Sequence, residues 1–406
     1  MSAADSAAPF IFLIAGEPSG DALGAALIAA LRQRAGSALR VAGIGGERMR
    51  EQGIESLVAL EDLAVFGLVE VLPRVPLILR RIREVAAVVR AMRPDAVVTI
   101  DSPDFTWRVA ARLRKQGEIL PVIHYVAPMV WAWRAGRARK MARWYDHLLA
   151  LLPFEPRFFE NAGLACTYVG HPVLESGADR GDAARFRTAH GIGPEELVVT
   201  VLPGSRGGEV RRHLPMLGDA LGLLQSQVGH FRVAVPTVAT VADAVAAAAR
   251  DWPGRPVVLR GNEAKYDAFA ASRAALAASG TVTLEVAMAR LPMAVFYRMN
   301  RLTEALLRRL VRVRQYSLVN LLAEAPVVPE LMGASLTAQR LAAEAAALIG
   351  DERVRAAQRQ GYDDALRRLG AGEFLPSLKA ADVILAVIAA RRPGRDGAAP
   401  AKETPR

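Results

Sequence analysis

Two carboxylates close a short apolar run in the segment Asp101-Ser102-Pro103-Asp104-Phe105, which directly follows the residues AVVTI at 96–100. If that run is a strand, Asp101 is the first residue outside the sheet. A carboxylate there can be held rigidly while partial burial raises its pKa, as a general base requires. A structural turn residue is the alternative reading of Asp101. Asp104 precedes an aromatic-started helical pattern and reads as its N-cap. Glu17 is a second catalytic candidate. It lies in Gly16-Glu17-Pro18-Ser19-Gly20-Asp21, after the apolar run at 10–15 and before an amphipathic helix reaching about Gln33. Glycines permit a tight turn and Ser19 or Asp21 can cap the helix, but capping does not require a carboxylate at position 17. His124 offers a third acid/base group, although a lone histidine at a strand end also serves as an ordinary structural residue. The loop after it carries Trp131 and Trp133, which suit either the wall of an apolar ligand site or core packing.

A different chemistry, anion binding, is written in the second half. Pro203-Gly204-Ser205-Arg206 repeats the order strand, glycine turn, helix. Its amides and the guanidinium fork of Arg206 suit a phosphate. The lysine and spacing of a Walker A loop are missing. The turn Ser279-Gly280-Thr281 opens another helix, with Glu285 in its first turns. Small residues there admit a diphosphate to the helix N-terminus, and Glu285 can accept hydrogen bonds from ribose hydroxyls. Together the two turns describe a nucleotide-diphosphate site. Gly43-Ile44-Gly45-Gly46 lacks the spacing of a dinucleotide fingerprint.

Such turns need a scaffold. Strand-like runs at 10–15, 40–43, 96–100, 121–126, 147–152 and 166–169 alternate with helical patterns, as in a parallel sheet covered by helices. A polar stretch follows, and a second series begins near 197–202, 231–236, 257–259, 274–277 and 293–297. The expected fold class is therefore α/β, two Rossmann-like lobes facing across a cleft. We expect a first domain at 8–170, a linker at 171–194, a second domain at 195–335, C-terminal helices at 336–390 and a disordered tail at 391–406. The 406 residues suit two cores, and 52% apolar with 23% charged residues places the chain among globular proteins. The single cysteine, Cys166, excludes an internal disulfide and a multi-thiolate metal site.

A net charge of +11 and a pI near 10.3 call for a polyanionic neighbour. Aromatics are sparse and no nucleic-acid module is present, so nucleic acid is not expected as a partner. No apolar run reaches the roughly 18 residues of a spanning helix, and the first apolar stretch lacks a preceding basic region, which suggests a cytoplasmic protein. Two segments could meet a membrane surface. In 63–83, Phe66, Leu68, Val69, Leu72 and Leu77 are interrupted by prolines and charges and followed by arginines, suiting either an interfacial insertion or a core helix. In 301–314, Arg308, Arg309 and Arg312 stand among leucines and valines, as in a basic amphipathic helix on anionic lipid or a solvated basic face.

Taken in order, the motifs Ala15 to Asp21, Ile100 to Phe105, Tyr125 to Arg134, Leu202 to Arg206, Ala278 to Thr281 and Val328-Pro329-Glu330-Leu331 resemble those of the lipid-A-disaccharide synthases over about residues 10–385. The resemblance implies a GT-B glycosyltransferase joining UDP-2,3-diacylglucosamine to 2,3-diacylglucosamine 1-phosphate (lipid X). The products would be the β-1,6-linked disaccharide phosphate and UDP. It implies no metal or other cofactor, a peripheral place on the cytoplasmic face of the inner membrane with its anionic lipid surface, and a homodimer with exchanged C-terminal segments. By position it makes Asp101 the catalytic aspartate and puts Arg206, Glu285, Asn320 and Glu330 in motifs for UDP or the cleft. Ala127 stands where the family usually has serine, and Val319 where proline is common. A related UDP-sugar enzyme such as an epimerase, or a peripheral lipid-binding protein without turnover, are the competing classes.

Overall fold

The computed structural model describes residues 8–58, 75–131, 136–298 and 315–391. The chain divides into two compact units, one comprising 1–172 with 374–406 and the other 173–373. Each is built on a six-stranded, wholly parallel sheet with helices between the strands.

In the first unit the strands are β1 (Phe10–Ala15), β2 (Arg40–Ile44), β3 (Ala96–Ile100), β4 (Val122–Tyr125), β5 (His147–Ala150) and β6 (Ala165–Tyr168). Their order is β2-β1-β3-β4-β5-β6. Every residue of β1 and β3 is buried, which explains why both read as unbroken apolar runs rather than alternating ones. After β2 the chain crosses back to the other side of β1, so the strand order reverses between β1 and β3. In doubly wound sheets ligands bind beyond the carboxyl ends of strands at such a reversal. Those two ends carry Gly16–Gly20 and Asp101.

The second unit has β7 (Val198–Leu202), β8 (Arg232–Thr237), β9 (Val257–Arg260), β10 (Ala274–Ala278), β11 (Met293–Tyr297) and β12 (Glu330–Met332). Their order is β12-β11-β10-β7-β8-β9, with the reversal between β7 and β10. The turns 203–206 and 279–281 follow those two strands. One face of this sheet is covered by the helices Gly207–Val228 and Ala338–Gly350, whose Leu217, Leu221, Leu341 and Ala345 share one buried cluster.

The boundaries differ from the sequence expectation in two places. Residues 171–194 do not form a bare linker: they hold two 3-10 turns and the helix Ala183–Ala189. Arg185 grips the carboxylate of Asp267 there with Nε 2.5 Å and Nη2 2.8 Å away, and the Asp182 amide donates to the same carboxylate at 2.7 Å. Nor do the C-terminal helices stay together. Ala338–Gly350 and Glu352–Arg368 belong to the second unit, whereas Pro376–Arg391 returns to the first. Ala380, Ala381, Ile384 and Ile388 pack there with Leu27, Ile28 and Leu31 of the helix Pro18–Ala35. Alanines at the contact let the two helices approach closely.

The helix Val75–Met92 settles part of the choice left open for 63–83. Its Ile82, Val85, Ala86 and Val89 recur at helical spacing and are buried in the first core, so this portion is a core helix, with Leu77 half-buried near its start. Phe66, Leu68, Val69, Leu72, Arg308, Arg309 and Arg312 lie outside the described residues, as does the tail 392–406. Among the described residues no helix is long and apolar enough to cross a membrane.

Candidate active site and nucleotide site

Asp101 leaves β3 with a positive φ of 50°, and Ser102 follows at φ 48°, two consecutive non-glycine residues in the left-handed region. Such a conformation costs roughly 1–2 kcal/mol per residue. It is held here by four contacts. The Asp101 amide donates to the Tyr125 carbonyl at 2.9 Å, and the Thr106 hydroxyl donates to the carbonyls of Asp101 and Ser102, each at 3.0 Å. The Ser102 amide donates to Asp101 Oδ1 at 2.8 Å. The reversal turns the carboxylate away from the sheet toward the β1 turn, where Ser19 Oγ donates to Oδ2 at 3.4 Å. Gly16 makes the approach of the two turns feasible, since a Cβ on it would stand 2.5 Å from Ser102 Oγ and 2.6 Å from Ser102 Cβ.

The β1 turn differs from the capping turn read in the sequence. Glu17, half-buried, occupies the N-cap position of Pro18–Ala35 with extended backbone and no side-chain capping bond. Asp21 does not cap its own helix. Its buried carboxylate accepts from the amides of Gly46 (2.6 Å), Arg48 (3.0 Å) and Met49 (3.1 Å), and so caps the helix Glu47–Glu51. The glycines at 43–46 therefore serve a strand end and a helix start.

His124 is removed from the acid/base candidates. Its ring is buried in the first core, Nδ1 is 2.7 Å from the Thr99 hydroxyl, and Tyr145 packs beside it at 5.0 Å between ring centroids. Burial pushes its pKa down to about 3, so it stays neutral and does not titrate in the range where a base works. Trp131 is half-buried: its indole donates to Glu155 Oε1 at 3.3 Å and meets Phe154 edge-on. Glu155 also accepts from the Leu151 and Leu152 amides, yet burial still pushes it up to about 7. Trp133 lies outside the described residues, and Ala127 is buried.

In the second unit the two glycine turns have different states. At the β7 turn, Gly204 has φ 108° and a Cβ on it would come within 2.7 Å of Glu209 Cδ. The buried Glu209 carboxylate lies over the turn and accepts from the amides of Arg206, at 3.4 Å, and Ser205. Desolvation holds its pKa above the ordinary carboxylate range, against those two amides and the nearby guanidinium. The amides expected to cradle a phosphate are thus engaged by the protein's own carboxylate. Arg206 is exposed, with Ser205 exposed beside it.

At the β10 turn the situation is open. Gly280 and Thr281 are exposed, nothing lies within 4 Å of a Cβ built on Gly280, and Thr281 makes no capping bond to the helix Val282–Met288. Ser279 Oγ reaches the Tyr316 carbonyl at 3.4 Å. Glu285 pairs with Lys265 at 2.6 Å, both side chains being mostly buried. Sequence reasoning missed Lys265, because a lysine on an unrelated helix gives no local signal of its partner.

Asn320 and Glu330 are brought together, but chiefly to shape backbone. Buried Asn320 donates to the Val328 carbonyl (2.9 Å) and Glu330 Oε1 (2.8 Å), and accepts from the Val328 amide at 2.9 Å. Glu330 accepts from the amides of Tyr316 (2.9 Å) and Ser317 (2.8 Å), at the start of the helix Leu318–Ala323. Val319 is buried and leaves these bonds intact. The pair holds residues 316–317 beside the Ser279 turn. His213, also unforeseen, does a similar job: Nδ1 is 2.8 Å from the Pro203 carbonyl and Nε2 accepts from the Arg298 amide at 3.0 Å. Those two bonds fix one neutral tautomer, and burial lowers its pKa. Among the described residues no three His, Cys, Asp or Glu side chains are grouped to hold a metal ion.

Comparison with known proteins bears on the family and the fold. The family model described as lipid-A-disaccharide synthetase matches residues 11–375. The lipid-A-disaccharide synthase of Rhodospirillum centenum is 54% identical over 381 residues, covering 94% of this chain and 95% of the relative. That of Paramagnetospirillum magneticum is 48% identical over 389 residues, covering 95% of this chain and all of the relative. Among solved structures, the UDP-GlcNAc 2-epimerase from Neisseria meningitidis bound to UDP-GlcNAc is similar with a TM-score of 0.61 at 14% identity, covering 94% of this chain and 100% of that one. The calicheamicin glycosyltransferase CalG4 gives a TM-score of 0.57 at 16% identity, over 94% and 98% of the two chains. These distant likenesses establish the fold, which is that of GT-B glycosyltransferases, and the sequence matches establish the lineage. The chain belongs to the lipid-A-disaccharide synthetase family.

Proposed function

We propose that the chain is a UDP-sugar-dependent hexosyltransferase of lipid A biosynthesis, condensing UDP-2,3-diacylglucosamine with lipid X by inversion, with Asp101 as general base. The observation that carries this reading is the strained Asp101 turn at the strand-order reversal of the first sheet, in a chain 54% identical to a lipid-A-disaccharide synthase. Asp101 takes the proton of the acceptor 6-hydroxyl as that oxygen attacks the donor's anomeric carbon. The bond from that carbon to the UDP oxygen breaks, and the proton passes from Asp101 to solvent after release. The second unit binds the donor: Arg206 and the open turn Ser279-Gly280-Thr281 offset the charge gathering on the leaving diphosphate, and Glu285 accepts from the ribose. Gly204 and Ser205 shape the Arg206 turn, while Asn320 and Glu330 keep 316–317 in place beside Ser279. Glu17 borders the acceptor side.

The acceptor and donor carry acyl chains, so the enzyme works as a peripheral protein on the cytoplasmic face of the inner membrane, with the part of 63–83 that precedes Val75 and the segment 301–314 as further lipid contacts. Homodimerisation through exchanged C-terminal segments belongs to the same reading.

The test is UDP release from acylated donor plus lipid X. Asp101→Asn should lower kcat by roughly 10²–10⁴ while UDP affinity stays within about twofold, because a positioned base contributes of that order. Near-wild-type turnover in the variant would remove Asp101 from the role. Product analysis separates transfer from epimerisation of the donor sugar.

A further inference from the structure

On the first unit, the helices Val75–Met92 and Pro103–Lys115 and the segment 140–144 enclose an open groove of about 470 Å³ that the catalytic reading does not use. The volume falls within the roughly 300–1,000 Å³ typical of small-ligand sites. Its floor is apolar and aromatic, with Ile82, Trp107 and Trp144. Its rim is cationic, with Arg108, Arg112, Lys115, Lys140 and Arg143.

Two observations set this groove apart from an ordinary solvated basic face. First, none of the five cations forms an ion pair with a described residue; Arg108 donates only to the carbonyl of Asp104, at 2.9 Å. Elsewhere on the same helices cations find carboxylates, as in Arg81 with Glu84, Arg90 with Glu118 and Arg114 with Asp146. Second, Arg112 Nε is buried with no hydrogen-bond partner. A buried guanidinium N–H without an acceptor costs about 1–3 kcal/mol, which an anionic ligand in the groove would recover. Five like charges around two half-buried indoles repel one another unless an anion sits among them. Tryptophan over an apolar floor with cations at the rim is the pattern of side chains that meet the headgroup level of a bilayer.

We propose that this groove binds an anionic phospholipid of the bilayer, its phosphate among Arg112, Lys140 and Arg143 and the start of an acyl chain against Trp107, Trp144 and Ile82. The inference rests on the membrane-surface reading above and gives it a residue-level site. Its place is functional: the groove runs along the helix whose first residue is two positions beyond Asp101, so a lipid held there fixes that helix against the surface from which the acylated acceptor comes.

The experiment is vesicle co-sedimentation of the full chain with phosphatidylglycerol vesicles and with phosphatidylcholine vesicles. The wild type should bind the anionic vesicles and lose binding as salt rises. The double variant Arg112→Gln/Lys140→Gln should bind about 25-fold more weakly, since each cation facing an anionic surface contributes about 1 kcal/mol, or about fivefold. Arg340→Gln/Arg353→Gln, which removes the same charge from exposed positions of the second unit, should change binding less than threefold. Trp107→Ala, with its fold checked by circular dichroism, should also weaken binding, and UDP release from detergent-dispersed substrates should stay near wild type in all three variants. If the wild type ignores anionic vesicles, the membrane reading itself fails. If it binds and the groove variants bind equally, or the control pair loses as much, the groove is not the site. Retention of single-stranded RNA by the wild type in place of vesicles would equally overturn the proposal.

Discussion

The strand-order reversals of the two sheets occupy equivalent topological positions and are finished in opposite ways. In the first unit the turn after β3 is closed: Asp101 and Ser102 sit in left-handed conformations, the Thr106 hydroxyl holds their carbonyls, and the Ser102 amide holds the Asp101 carboxylate. In the second unit the turn after β10 is open, with an exposed Gly280 that nothing crowds. The turn after β7 is intermediate, its amides taken by Glu209 and its arginine left outside. A base must be aimed before substrate arrives, and strained, over-determined backbone does that. A diphosphate brings its own charge and shape, so its site needs space and free donors. On the proposed function, the same topology therefore supplies a rigid position for a base in one unit and a receptive position for an anion in the other.

The contrast is sharpest at the glycines. Gly16→Ala should destabilise the first unit by about 1–3 kcal/mol, because the buried Ser102 has nowhere to move, and turnover should fall with it as Asp101 is displaced. Thermal melts and UDP-release rates measure both; an alanine variant with wild-type stability and rate would show that the two turns are not locked together. Gly280→Ala should change stability by less than about 0.5 kcal/mol. Its effect should appear in UDP affinity, by crowding the open turn, and calorimetric titration with UDP reads it directly.

Another substitution tests the clamp behind the open turn. Asn320→Ala leaves the Val328 amide without its acceptor and should cost about 1–3 kcal/mol, with weaker UDP binding as 316–317 loosens. Unchanged UDP affinity in a folded variant would separate the clamp from the nucleotide site.

The gentlest probe is pH. His124 and His171 are pushed down to about 3 and about 4 by burial, and His213 is lowered for the same reason. Each binds a proton in the unfolded chain near the ordinary value of about 6.5 but not in the folded one. Their contribution to stability is therefore complete above about pH 6.5 and is lost as pH falls toward 4, by about 1.4 kcal/mol per pH unit for each titrating histidine. His124→Gln should flatten the acid limb of the stability profile, and an unaltered limb would refute the assignment.

Much of this architecture was legible from the chain alone. The all-buried runs of β1, β3, β7 and β10 announce parallel strands, and the residues after them announce the turns, because burial on both faces and a change of backbone direction leave local marks in residue type. Asp101 could be chosen as a base candidate for the same reason. What no local pattern contained was which polar groups remain available after folding. His124 stands as a third acid/base candidate in the sequence, but in the fold Thr99 and Tyr145 enclose it. Asn320 and Glu330 looked like ligands until they were found holding backbone amides. The return of 376–391 to the first unit and the bond from the Arg298 amide to His213 depend on partners far apart in sequence. Sequence determined the strands, the turns and the kinds of chemistry each could hold. Tertiary structure decided which donors and carboxylates were already satisfied, because hydrogen-bond satisfaction and burial depend on neighbours that only the folded chain brings into contact.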